Sequence, residues 1–270
     1  MMDKAVILAA GLGTRMQLED PDALLSGKQA EVAATGCKAM IPLNGQPFLT
    51  YLLSALADAG YREVSIVTGP GSQMIRDYYE AVELSRINLS FSFQNEPGGS
   101  ADALLTAESS TGSSPFLMLN SDNYYPVDVL SVIRRLDGPG LVGFNAESLR
   151  KGGSATIERI ANCAFLITDE EGFLVDLIEK PEPDQLAALR KPHWVSMTCW
   201  KFGPSIYEAC RSIELSKRGE LELPDAVAWT IHNLDERFEM IRSEAVIPDL
   251  SRRANIIAVE EFLDSVEVNL

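Results

Sequence analysis

Ala5-Val6-Ile7-Leu8-Ala9-Ala10-Gly11-Leu12-Gly13-Thr14-Arg15-Met16 decides how this chain folds: an apolar run passes directly into a glycine turn that ends in a hydroxyl and a guanidinium. An apolar run without polar alternation is the pattern of a strand covered on both faces. Glycines let the backbone approach a phosphate closely and turn N–H donors toward it, and Arg15 can fork two phosphate oxygens. The turn is therefore a candidate polyphosphate cradle. It lacks the third glycine of a dinucleotide fingerprint and the Gly-Lys-Ser/Thr of a P-loop, so neither explains it.

Outward from this stretch the first half alternates short apolar runs with amphipathic ones. Strands are expected at 5–10, 64–68, 89–93 and 116–120, and helices at 48–59, 72–84, 100–108 and 127–136. Parallel strands need helical crossovers, so this β-α alternation predicts an α/β protein with a doubly wound, mainly parallel sheet. Asn44-Gly45 marks a turn, Pro47 a first helical position and Gly60 a helix end. Beyond Gly138 the texture turns β-rich. Strands are expected at 156–158, 164–168 and 173–179 with a hairpin turn at Asp169-Glu170-Glu171-Gly172, and helices at 204–213, 224–232 and 253–266. This second part should extend the sheet and build another wall. The 270 residues read as one domain, without internal repeats.

A hydrophobic content of 46% and a charged content of 23% fit a globular protein. The N-terminal apolar run is too short for a membrane span or a signal peptide, so a cytoplasmic protein without a membrane partner is expected. A net charge of −16 argues against nucleic acid as a partner, because backbone binding depends on Lys and Arg. Cys37, Cys163, Cys199 and Cys210 are widely spaced and read as buried free thiols. With only His193 and His232 present, metal chemistry would use carboxylates and a hard cation such as Mg²⁺. The sequence leaves the oligomeric state open, a homo-oligomer included.

Three further stretches end where an open α/β sheet places its ligand crevice, or carry charge that could serve one. Gln94-Asn95-Glu96-Pro97-Gly98-Gly99-Ser100 follows a strand, and its amide offers a donor and an acceptor edge suited to an imide. Phe116-Leu117-Met118-Leu119-Asn120-Ser121-Asp122-Asn123 is an apolar strand ending in a carboxylate. Glu179-Lys180-Pro181 places a carboxylate and an ammonium side by side.

At Gly11-Leu12-Gly13-Thr14-Arg15-Met16 the chain resembles the sugar-1-phosphate nucleotidyltransferases, the family of glucose-1-phosphate thymidylyl- and uridylyltransferases. Lys38-Ala39-Met40-Ile41-Pro42 is similar to the family's phosphate-contacting lysine segment. The resemblance implies a Rossmann-like nucleotidyltransferase fold, with 1–137 as the nucleotide-binding half and 138–270 as a smaller, β-rich sugar-phosphate-binding half. It implies a nucleoside triphosphate and a sugar 1-phosphate as partners, UTP or dTTP being favoured, and Mg²⁺ as cofactor. Leu8, Ala10, Gly11, Gly13, Thr14, Gln94, Pro97 and Gly99 would contact the nucleotide. Arg15, Lys38, Asp122 and Lys180 would be catalytic, Asp122 and Asp225 would ligate the metal, and Asn123, Glu179 and Lys180 would hold the sugar phosphate. Cys163-Ala164 stands where relatives have a Tyr-Gly sugar contact, and Trp200 falls where they line the sugar pocket. Two alternatives are a cytidylyl- or guanylyltransferase acting on another phosphorylated small molecule, and a non-catalytic regulator that binds sugar nucleotides.

Overall fold

The computed structural model describes residues 2–151 and 156–270. Its strands are β1 (Lys4–Leu8), β2 (Pro42–Leu43), β3 (Gln46–Pro47), β4 (Glu63–Thr68), β5 (Asn88–Phe93), β6 (Phe116–Asn120), β7 (Gly140–Asn145), β8 (Ala164–Thr168), β9 (Leu174–Glu179), β10 (Trp194–Phe202) and β11 (Glu239–Ser243). Among the described residues, all except the β2–β3 pair join one nine-stranded sheet. Its order is β11-β7-β10-β6-β1-β4-β5, with β8 on β10 and β9 on β8. β1 lies parallel between β4 and β6, and β5 lies parallel to β4. β10 runs antiparallel to both β6 and β7, and so sews the later strands onto the parallel centre.

Side chains of the central strands alternate between two cores. Ala5, Ile7, Leu117 and Leu119 enter one, whereas Val6, Phe116 and Met118 enter the other. Helices Phe48–Asp58, Val127–Arg134 and Ile256–Leu263 cover the first face, and Ser100–Leu105, Ser205–Ser212 and Leu223–Leu234 the second. Both faces are covered, which is why β1 and β6 show no polar alternation. Leu52 and Leu53 in the first layer are fully buried, so truncating either to Ala would cost about 2–5 kcal/mol. The four cysteines are buried and free. Among the described residues no helix is long and apolar enough to cross a membrane.

Local chemistry explains the boundaries. Asn44 and Gly45 take positive φ angles of 46° and 83°, the hairpin geometry their pairing predicts, and join β2 to β3. Pro47 stands one residue earlier than expected, as the N-cap of the helix that starts at Phe48. The strand expected at 156–158 is instead the start of helix Ile157–Ala161. Thr156 reads as strand by its branched side chain, but its hydroxyl accepts the Arg159 N–H at 3.1 Å and caps the helix. The stretch 100–108 breaks into Ser100–Leu105 and Glu108–Thr111, and 72–84 shortens to Gln73–Glu80. Residues 17–37, assigned no element from the sequence, contain helix Gly27–Thr35, opened by a reciprocal capping box between Ser26 and Gln29. The sequence pattern does not mark β7, β10 and β11 as strands, since their pairing is long-range and only the fold declares it.

Candidate functional site

β1 delivers the glycine turn to the carboxyl edge of the sheet. Ala9 N–H still donates to Val67 O at 2.8 Å, and the chain then turns at Gly13, whose φ of 62° lies in the left-handed region. A Cβ on Gly13 would stand 2.0 Å from Gly36 O, and one on Gly36 would stand 2.3 Å from Leu12 O. The turn and the segment leading to Lys38 therefore meet backbone against backbone, where only glycine fits. Arg253 donates to Met16 O at 3.0 Å and satisfies the end of the short helix Thr14–Gln17.

Leu8, Ala10, Gly11, Gly13, Thr14, Lys38, Gln94, Pro97, Gly99 and Asp122 line a single cavity of about 520 Å³. That volume falls in the range of small-molecule sites. Arg15, next to Thr14, is exposed and stands outside the cavity wall.

The loop on the far side of this cavity is fixed from two directions. Gln94 N–H donates to Thr68 O at 2.8 Å, and the Gln94 side chain, 4% exposed, donates through Nε2 to Gly99 O at 3.1 Å and to Asp102 Oδ2 at 2.7 Å. Both amide donors are spent, so of the two edges foreseen for Gln94 only the acceptor is left. The segment around Leu221 then stitches the loop down. Leu221 N–H donates to Gly98 O at 2.8 Å, Ala101 N–H to Leu221 O at 2.9 Å, and Leu223 N–H to Ser100 Oγ at 2.9 Å.

At the end of β6, Asp122 pairs with Lys38 Nζ at 2.8 Å, each side chain 21% exposed. Burial alone would raise this carboxyl, but the Lys38 charge and hydrogen bond outweigh it and hold its pKa below the ordinary value. A second carboxylate, missed in the sequence, lies beside it. Leu250 N–H donates to Asp122 O at 2.8 Å, Tyr124 N–H to Pro248 O at 3.1 Å, and Asn123 bridges to Asp249. Asp249 is 2% exposed and paired through Oδ2 with Arg159, while its Oδ1 is buried without a hydrogen-bond partner. Burial raises its pKa and the Asp122 charge adds to that, with Arg159 opposing. Nothing local in Ile247-Pro248-Asp249-Leu250 announces an acid that strand pairing brings to Asp122.

Hard carboxylate oxygens, one of them unsatisfied, fit a divalent cation such as Mg²⁺. Among the described residues no group of three or more His, Cys, Asp or Glu is arranged so that it could hold a metal ion by itself. A cation here would complete its shell with water and ligand oxygens, the usual habit of Mg²⁺.

A smaller cavity of about 230 Å³ adjoins, lined by Arg159, Cys163, Glu179 and Glu222 and sharing Ser100 and Asn120 with the first. Burial and the neighbouring Glu222 charge push the pKa of Glu179 up. Glu222 is held in turn by Arg218, with Nε 2.9 Å from Oε1. Lys180 is exposed, has a φ of 46° and lines neither cavity. Asn123 lies under the site, 1% exposed, with its Nδ2 buried and unpartnered. Asp225 is exposed on helix Leu223–Leu234 and borders a different groove with Trp229 and His232, so the fold does not place it in the cavity that Asp122 lines. Trp200 stacks on Phe202 at 5.7 Å in the core and lends the small cavity one edge.

The family model described as Nucleotidyl transferase matches residues 4–250. A UTP–glucose-1-phosphate uridylyltransferase of Haloferax volcanii is 28% identical over 236 residues, 85% of this chain and 84% of that protein. A glucose-1-phosphate thymidylyltransferase of Streptomyces griseus is 29% identical over 234 residues, covering 84% of this chain and 57% of that protein, so the chain spans little more than half of that relative. Among solved structures, a UDP-glucose pyrophosphorylase complexed with UDP-glucose superposes with a TM-score of 0.73 at 20% identity, covering 97% of this chain and 98% of that one. A UTP-bound UDP-glucose pyrophosphorylase of Acinetobacter baumannii gives 0.74 at 16% identity, over 99% and 96%.

Proposed function

The chain belongs to the nucleotidyl transferase family, and from that premise we propose that it transfers a nucleoside monophosphate from a triphosphate to a sugar 1-phosphate, releasing pyrophosphate and an NDP-sugar. UTP or dTTP is the favoured donor. One observation carries this reading: a nucleotide-sized cavity walled by the cradle, Lys38 and Asp122 shares Ser100 and Asn120 with a smaller cavity walled by Glu179 and Arg159. Two substrates can thus lie end to end. The names of the uridylyl- and thymidylyltransferase relatives support the same substrate pair.

In this mechanism a phosphate oxygen of the sugar 1-phosphate attacks the α-phosphorus in line, and no enzyme nucleophile is required. Backbone N–H groups of residues 11–14 hold the leaving pyrophosphate, while Lys38 and Arg15 neutralise charge that grows on it. The Lys38–Asp122 pair keeps both groups balanced until a triphosphate and its cation offer each an opposite charge. Asp122 and Asp249 would hold Mg²⁺, which when bound supplies charge neutralisation and orientation of the phosphates. Glu179 accepts sugar hydroxyls, and Lys180 reaches in from the rim to the sugar phosphate. Positioning and electrostatics then account for the rate. Measuring pyrophosphate release for a panel of triphosphates against sugar 1-phosphates tests this; release with none of the sugar phosphates would overturn it.

A further inference from the structure

We propose that Asp102 is a positioning residue for base choice: it locks the Gln94 amide so that only its carbonyl oxygen meets the ligand. The inference rests on the proposed nucleotide reading of the large cavity and deepens it. Gln94 is buried at 4% exposure and lines that cavity. One end of its amide faces Gly99 O at 3.1 Å and Asp102 Oδ2 at 2.7 Å. A backbone carbonyl and a carboxylate oxygen accept, so the amide group facing both of them must be the NH₂. Turning the amide over would set its oxygen against two acceptors in a buried place, a costly arrangement.

The neighbouring glycines make this contact possible. A Cβ on Gly98 would stand 2.7 Å from the Asp102 carboxylate, and one on Gly99 would stand 2.3 Å from Leu221 O. Gly99 also sits at a φ of 103°. The loop thus brings Asp102 onto the amide with no side chain between them.

An acceptor-only reader selects a base that presents a ring N–H. Uracil and thymine offer N3–H flanked by two carbonyls, whereas cytosine offers a lone pair at N3 and would oppose the Gln94 oxygen. Cytosine could pair through N3 only if the amide turned over, which Asp102 opposes, and its N4 donor lies one position away from the ring N–H that uracil presents. Among the pyrimidines, the base selected is therefore an imide, uracil or thymine.

The test compares UTP and CTP, with one sugar 1-phosphate, in the full chain and in Asp102→Leu and Asp102→Asn. Asp102→Leu should lower the UTP:CTP ratio of kcat/KM by on the order of tenfold or more, since the buried amide loses one of the two acceptors that fix it. The change should lie in KM for the triphosphates, with KM for the sugar phosphate unmoved. Asp102→Asn can present either an oxygen or an NH₂ to the amide, so its ratio should fall between that of Asp102→Leu and that of the unaltered chain. A folded Asp102→Leu with an unchanged ratio, or with kcat and both KM values disturbed together, overturns the inference. Should Asp102→Leu fail to fold, Gln94→Glu decides: it should lose UTP binding by calorimetry, and the double variant with Asp102→Asn should recover it, because Asn can donate to the new carboxylate. No recovery overturns the proposal. A wild-type chain that ranks CTP or GTP first overturns the base choice under the proposed function as well, whereas an unchanged ratio in Asp102→Leu overturns this inference alone.

Discussion

The two adjoining cavities are built in different ways. The larger one is lined by the glycine turn after β1 and the loop after β5, with Lys38, Asp122 and Glu220 as its charged residues. The smaller one mixes apolar and polar residues with three charged ones, Arg159, Glu179 and Glu222, carried on a short helix, the end of β9 and a helix N-cap. Backbone N–H groups fixed by parallel strands need no reorganisation to meet phosphates. Side chains on antiparallel strands can be exchanged without moving the sheet. The first cavity should therefore tolerate little change and the second should be open to respecification.

The strongest way to break this contrast is at the carboxylates. Asp122→Ala should remove pyrophosphate release almost entirely, by a factor of ~10³ or more, with the fold kept. Asp249→Asn should follow it closely, and calorimetry of Mg²⁺–UTP binding should weaken in both; near wild-type turnover in saturating Mg²⁺ would refute the pair. Arg15→Ala and Lys38→Ala come next. Each should cost at least about 2 kcal/mol in kcat/KM, as lost charge-assisted donors do. Normal turnover in both would mean that the cradle holds something other than a polyphosphate.

On the sugar side the effects should be smaller and more divisible. Glu179→Gln should raise KM for the sugar 1-phosphate while leaving KM for the triphosphate alone, and a steady-state matrix of both substrates separates the two. The same variant has a pH signature. Burial and Glu222 raise the Glu179 pKa in the folded protein, so its ionised form is disfavoured there. Stability is then full below the ordinary carboxylate range and is lost as pH rises through the folded value. Glu179→Gln should therefore melt slightly higher than the wild type at neutral pH, and the difference should vanish below about pH 4. Equal melting at neutral pH would contradict the assigned shift. Smallest of all, Asp225→Asn should leave turnover within about twofold, because Asp225 borders a separate surface groove. A large loss would bring that acid back to the chemistry.

The same contrast explains what the sequence disclosed. Contiguous features were legible: the run into Gly11 and Gly13, Asp122 at the end of an apolar strand, Gln94 ahead of Pro97 and Gly99. Each is a strand followed at once by its own loop, so local pattern and spatial position coincide. Asp249 and Asp102 were not legible. Asp249 reaches Asp122 only through a bridge to Asn123, and Asp102 matters only because a helical turn folds it back onto Gln94. Thr156 was misread because a β-branched residue that caps a helix looks like a strand residue out of context. β10 was missed as a strand for a related reason. Its register slips between Ser196 and Trp200, where Thr198 takes a φ of 58° and Tyr125 donates its hydroxyl to Met197 O at 2.5 Å.

The contact between Gly13 and Gly36 bears on how such a chain can change over generations. Backbone meets backbone there, so neither position has an acceptable substitute, and a change at one cannot be rescued at the other. Of the segment between them, only the stretch 18–24 escapes that restraint, since Thr14 lines the cavity, Met16 is buried and Ser26 opens the next helix. Doubling a loop costs only about 0.6 kcal/mol in closure entropy, so the length and composition of that stretch can drift while its flanks are kept. Heritable variation should collect there and stop at Gln17 and Ser26.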